Sequence, residues 1–283
     1  MRFLRSNLAE CVLILVVLFT ASACTANHPK RHYVLAEKFW NDGNYISAVT
    51  EFDKVVQKDP KGKLGSQALY RSAHTEVMFL NRYSEAVKKF SAYSTSAQAD
   101  PVLAWEAQKQ IGDIYFVKTE QYDQAIQHYQ GLLRLKPAPE EAAEYAYKIA
   151  KSHFYLWQFD EALLCYKQLY QGYPGTPWAE KALYEIALTH YTRGDQKGES
   201  ATASRSGGAY HEALSAYETY LKTYPHGTFF VQAQFGVASC YEELERLDDA
   251  YRDYEALKGT YPAPKVILIK LARIKERLHQ KKR

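Results

Sequence analysis

Phe159-Asp-Glu-Ala162-Leu-Leu-Cys-Tyr166 reads aromatic-x-x-Ala-x-x-x-aromatic, and its alanine and second ring, four residues apart, share one face of a helix. The pattern recurs at Tyr45…Ala48…Phe52, Tyr83…Ala86…Phe90, Tyr122…Ala125…Tyr129 and Tyr210…Ala213…Tyr217. Leu247…Ala250…Tyr254 keeps it with leucine in the first slot. Successive alanines are 38, 39, 37, 51 and 37 residues apart. Self-similarity at such a period marks a chain built of stacked supersecondary units. Composition agrees: the 283 residues are 47% hydrophobic and carry only 14 Gly and 10 Pro, which favours helices.

Upstream of each motif lies another amphipathic segment with a small residue on its inner face: Ala36, Gly112, Ala150, Ala187 and Ala238, with His74 in that slot in the second unit. Two antiparallel helices approach closely where both carry small side chains, and the rings then fill the space between neighbouring pairs. Prolines punctuate the units at Pro60, Pro101, Pro137, Pro174, Pro225 and Pro262, where a helix must stop. These residues resemble the tetratricopeptide repeat, a helix–turn–helix unit of about 34 residues. The resemblance implies an all-α, right-handed superhelical solenoid of about six hairpins over residues 33–262. Its units are expected at 33–62, 66–101, 103–137, 140–174, 177–225 and 228–262. Residues 264–283 are expected to form a capping helix and basic tail, with Val266, Ile267, Leu271, Ile274 and Leu278 covering the last repeat. The spacing of 51 reflects a polar Ser/Gly/Ala insertion at 195–209, expected to be a flexible loop.

The first residues read as an address. Arg2 and Arg5 precede an apolar run from Cys11 to Phe19, too short to span a bilayer as an anchor but suited to a secretory signal over 1–23. Ala21-Ser-Ala-Cys24 fits ordinary secretory cleavage and also resembles a bacterial lipobox, which implies lipidation at Cys24 followed by a linker over 24–32. Thr25, rather than Asp, after the cysteine implies the outer membrane, facing the periplasm; a soluble periplasmic protein is the alternative. Cys165 and Cys240 fall several helices apart and are expected as small buried apolar residues.

No phosphate loop, zinc-binding His-Glu-x-x-His, paired Cys-x-x-Cys or serine elbow occurs, so no catalytic residue, metal or cofactor is expected. His153 and His190 occupy equivalent inner positions and read as packing residues. A net charge of +4 is too even for a nucleic-acid partner, which needs a clustered basic face. Function is therefore expected in a surface. Projecting each first helix inward places Tyr33, Glu37 and Trp40 in a groove, followed by Arg71, Thr75 and Met78. Lys109, Asp113 and Phe116 come next, then Tyr147, Lys151 and Phe154, then Tyr184, Leu188 and Tyr191. Aromatic rings interleaved with Lys and Arg suit a polypeptide partner, and equally suit stacking on a glycan.

Tyr173-Pro-Gly-Thr-Pro-Trp-Ala-Glu-Lys-Ala-Leu-Tyr184 and Tyr224-Pro-His-Gly-Thr-Phe-Phe-Val-Gln-Ala resemble the BamD-like outer-membrane lipoproteins and their relatives in the Tol-Pal system; Tyr261-Pro262 repeats the device. The resemblance implies a non-catalytic scaffold on the periplasmic face of the outer membrane, with protein partners such as the β-barrel assembly machinery. A scaffold for polysaccharide export or peptidoglycan-associated maintenance is the alternative.

Overall fold

The computed structural model describes residues 28–195 and 203–281, and these are all-helical with no strand among them. The signal segment, Cys24, residues 196–202 of the insertion and the last two residues lie outside the described residues. The motif alanines Ala48, Ala86, Ala125, Ala162, Ala213 and Ala250 are wholly inaccessible to solvent, and so are their ring partners Phe52, Phe90, Tyr129, Tyr166 and Tyr254. A residue without a γ-carbon lets the backbones close, and the ring four positions on seals the gap.

The chain divides into two compact units, residues 1–120 and 121–283. In the first, α1 (Pro29–Asn41), α2 (Tyr45–Lys58), α3 (Lys63–Thr75), α4 (Tyr83–Ser94) and α5 (Pro101–Asp113) each pack on the next. In the second, α6 (Tyr122–Arg134), α7 (Pro139–Tyr155), α8 (Phe159–Gly172), α9 (Pro177–Asp195), α10 (Ala203–Thr223), α11 (Phe230–Glu243), α12 (Leu247–Ala256) and α13 (Pro264–Lys281) do the same. First helices also touch one another, α1 on α3 and α7 on α9, which sets residues one repeat apart side by side.

Five hairpin turns among the described residues carry one residue in the left-handed conformation: Gly43, Asn81, Glu120, Trp157 and Glu245. From the buried small residue to this turn residue the chain runs seven positions in Ala36–Gly43, Ala150–Trp157 and Ala238–Glu245. It runs eight in Ala73–Asn81 and Gly112–Glu120. The extra residue is absorbed by single π turns, Glu76–Leu80 after α3 and Ile114–Lys118 after α5. This corrects the expectation at His74, which is exposed; its neighbour Ala73 is the inaccessible contact residue.

Two boundaries also differ. Helix α1 begins at Pro29, inside the expected linker, because proline at the first helical position has its backbone preset and the His28 ring accepts from the Lys30 amide at 3.2 Å. Helix α10 begins at Ala203, so residues 203–209 are helical rather than part of a flexible loop. Once Ala213 and Tyr217 dock the helix, each further turn costs only propagation. Tyr210 pins this end, donating to Asp195 Oδ1 at 2.6 Å. Its ring lies against Gly194, where a Cβ would come within 2.7 Å of it. At the C-terminus Ile267, Leu271 and Ile274 of α13 are buried against α12 and Leu278 is half-buried, whereas Val266, expected to join them, is exposed. Cys165, half-buried, and Cys240, buried, are free thiols, and burial pushes the Cys240 thiol up to about 12.

Candidate functional site

In the first unit, Glu37 of α1 and Arg71 of α3 form a two-pronged ion pair, Nε to Oε1 at 3.0 Å and a terminal nitrogen to Oε2 at 2.9 Å. The guanidinium lies 4.9 Å from the centroid of the Trp40 ring. Trp40 in turn meets Tyr45 and Phe79 edge-on, and Tyr45 stacks on Phe79 at 3.9 Å with planes 8° apart. Met78 and Phe79, 61% and 44% exposed, continue this strip into solvent. Tyr33 instead turns inward, edge-on to Phe52 at 5.5 Å, and burial together with Glu37 raises its phenol against the pull of Arg71. Thr75 is buried, its hydroxyl donating to the Arg71 carbonyl at 2.7 Å, which removes it from the groove. Lys109 pairs along its own helix with Glu106 at 3.6 Å, and Asp113 and Phe116 are half-buried.

In the second unit the inner face centres on Glu185, a residue the projection of single helices missed. It is 5% exposed and accepts from Tyr147 Oη at 3.0 Å and from Lys151 Nζ at 2.8 and 3.0 Å. Burial first, and Glu185 beside it, hold the Tyr147 phenol far above its ordinary value, so it remains a donor. Tyr147 also packs against Trp178 at 5.1 Å and lies under the Lys181 ammonium, 4.3 Å from its centroid. Burial, with Lys151 nearby, lowers the Lys181 ammonium against the opposing influence of Glu185. The sequence carries a usable signal for Glu185: Lys151 precedes it by 34 residues, the separation of Glu37 from Arg71.

Several expected groove rings are therefore wall rather than lining. Tyr147 is 6% exposed, and Tyr184 is half-buried, stacked on Phe229 at 4.8 Å with its phenol pushed up to about 12 by burial. Tyr191 packs on Tyr210 at 5.5 Å, and Leu188 is half-buried. Lys151 lies 4.5 Å from the centroid of Phe154, joining the ion pair to an aromatic group at the α7–α8 turn. His153 pairs with Gln158 across that turn at 2.6 Å, and His190 is half-buried beside Glu212 at 3.0 Å. On each inner face one glutamate is thus paired within the chain, Glu37 with Arg71 and Glu185 with Lys151. Among the described residues no cluster of three His, Cys, Asp or Glu could hold a metal ion. No described helix is long and apolar enough to cross a membrane.

Residues 199–263, covering α10 to α12, match the tetratricopeptide repeat family. No curated protein sequence matches the chain. Among solved structures, a tetratricopeptide repeat protein from Parabacteroides merdae is 14% identical with a TM-score of 0.51, over 90% of this chain and 88% of that one. The C-terminal part of a TPR repeat-containing protein from Cytophaga hutchinsonii is likewise 14% identical, with a TM-score of 0.55 over 90% and 92% of the two chains. A chain of the Naa15/Naa10 complex bound to HypK is 15% identical with a TM-score of 0.60, and there 90% of this chain covers 35% of the other. At such identity the likeness is one of fold. The described residues have the helical-repeat fold of the tetratricopeptide type, and residues 199–263 match the tetratricopeptide repeat family itself.

Proposed function

We propose that the chain is a non-catalytic scaffold that binds polypeptide partners and is tethered through a lipid on Cys24 to the periplasmic face of the outer membrane, where it serves envelope protein assembly. The observation that carries the binding role is the strip of Trp40, Met78 and Phe79, rings and thioether left accessible beside a self-neutralised ion pair. Such a strip gains from apolar and aromatic contact more than from charge. The anchor rests on Ala21-Ser-Ala-Cys24 after its apolar run, and the assembly role on the Tyr-Pro turns at Tyr173, Tyr224 and Tyr261. With Tyr147 buried and Tyr184 stacked internally, these two rings offer little face to a sugar, which takes weight from the glycan-scaffold alternative.

Membrane fractionation of the native chain and Cys24→Ala tests this directly. The native chain partitions with the outer membrane and, after cross-linking, carries envelope proteins with it; Cys24→Ala is released to the soluble fraction. A native chain that fractionates as fully soluble removes the anchor, and cross-links to glycan alone remove the polypeptide partner.

A further inference from the structure

Helix α13 has two faces of different character. Along the inner one, Ile267, Leu271 and Ile274 pack with residues of α11 and α12, and Lys270, Arg273 and Arg277 all reach Glu242. Along the outer one Lys265, Ile269, Ala272 and Glu276 are each exposed, Ile269 to 67%, with Leu268 beside them at 53%. Their spacing of four, three and four residues sets them in one narrow stripe, the seam by which a helix meets a partner helix. Among the described residues neither Lys265 nor Glu276 forms an ion pair; Glu276 accepts from Gln280 of its own helix at 3.5 Å.

A further second helix of the repeat type does not fit beside this stripe. Elsewhere a first helix meets its own second helix at a small residue. Lys275 stands 37 residues after Ala238, the step that also separates Ala150 from Ala187, so a lysine occupies that contact. A helix closing there as the others close would bury the ammonium.

The stripe is, however, complementary to itself. Laid antiparallel on a second copy, Lys265 faces Glu276 and Ile269 faces Ala272, and the two-fold axis repeats both contacts. Both pairs share one midpoint, between residues 270 and 271, so a single register satisfies them together. Each large side chain meets a small one, which lets the helices approach closely. A parallel pairing would instead set Lys265 on Lys265 and Glu276 on Glu276, like charge against like.

We propose that α13 is a dimerisation helix, through which two copies of the chain pair antiparallel with a Lys265–Glu276 ion pair at each end of an Ile269–Ala272 centre. One pair of helices makes an interface at the small end of the specific range, so the dimer is reversible. This pairing depends neither on the lipid anchor nor on the accessible strip of the first unit.

Sedimentation equilibrium of the full chain carrying Cys24→Ala, so that no lipid contributes to association, measures the dimer. The chain should show a concentration-dependent monomer–dimer equilibrium, and Ile269→Lys should abolish it. Lys265→Glu or Glu276→Lys alone should weaken it about 3- to 30-fold, because each reversal spoils two symmetry-related contacts. The double reversal should restore the native constant, as should an equimolar mixture of the two single variants. Within one chain Lys265 and Glu276 are separated by about 16 Å of helix, so rescue arises only between chains. All three positions are exposed, and circular dichroism checks that each variant keeps its helices. A chain that is monomeric at every concentration, a dimer that Ile269→Lys leaves intact, or a double reversal that fails to rescue overturns the proposal. A monomeric chain that floats with phosphatidylglycerol vesicles unless Ile269 is replaced also overturns it and gives the face to an anionic membrane.

Discussion

Two glutamates at equivalent depth, one in each unit, ionise in opposite senses. Glu76, in the π turn after α3, is 2% exposed; its Oε1 accepts from Lys89 Nζ at 2.8 Å, and its Oε2 is buried without a hydrogen bond. Burial, reinforced by Asp53 and Glu85, pushes its carboxyl up despite that lysine. Glu242, at the end of α11, is wholly buried yet held below the usual carboxylate range. Burial pushes it up as well, but Lys270 at 2.9 Å and Arg273 at 2.8 Å outweigh that, with Tyr254 Oη donating to Oε2 at 3.2 Å and Arg277 at 3.6 Å. Depth does not decide the sign; the number of cations brought to bear does. In the first unit one lysine is shared among Glu76, Asp53 and Ser72. In the second, the terminal helix delivers three cations to one carboxylate and is thereby clamped to the stack.

Removing the shared lysine should break this comparison hardest. Lys89→Met leaves Glu76 buried with no counter-ion, and deleting one partner of a buried pair costs about 3–5 kcal/mol at neutral pH. Because the folded carboxyl is raised above 4.5, its proton is held more tightly folded than unfolded. Its contribution to stability is therefore fullest below that ordinary value and is lost as pH rises through the raised one. Urea unfolding read by hydrogen exchange in α3 and α4 should show a large loss at pH 7 that shrinks towards pH 4.5. A loss independent of pH would mean that Lys89 acts through packing alone.

The clamp at Glu242 should show the reverse sign and a smaller effect. Glu242→Gln keeps the shape but removes the charge that three cations face, a loss of about 1.5–3 kcal/mol, the worth of hydrogen bonds to a charged group. The folded carboxyl lies below 4.5, so the stabilisation is present above that value and is lost as pH falls through the lowered one. Amide protection in α13 should fall on acidification in the native chain and be flat with pH in Glu242→Gln. Protection that falls equally in both would place the acid-sensitive group elsewhere.

What could be read in advance follows from what repeats. The six motif alanines and their rings were legible because every hairpin needs the same close contact, so chance and design separate after a few units. The groove was legible only as a row of positions. Projecting a helix alone places Tyr147 and Tyr184 inward, but whether a ring lines a groove or fills a wall depends on neighbours such as Trp178 and Phe229, each five residues after the tyrosine of a Tyr-Pro turn and outside what one helix's projection contains. The helical stretch 203–209 was hidden for another reason: composition reports what a segment prefers alone, not what a docked helix imposes on it.

The mildest change tests whether burial, rather than the presence of an ion pair, sets these costs. Glu37–Arg71 and Glu185–Lys151 are spaced alike in sequence, but the side chains of the first pair are 33% and 37% exposed and those of the second 7% and 12%. Arg71→Met leaves Glu37 within reach of water, so the loss should be about 0–1 kcal/mol. Methionine also keeps an apolar stem against Trp40, where the guanidinium now lies at 4.9 Å. Added salt should shrink this small loss further, as screening removes what the exposed pair contributed in the native chain. A cost comparable to that of Lys89→Met, or one insensitive to salt, would mean that the first unit depends on its inner-face pair for packing and that the accessible strip beside it is a structural wall.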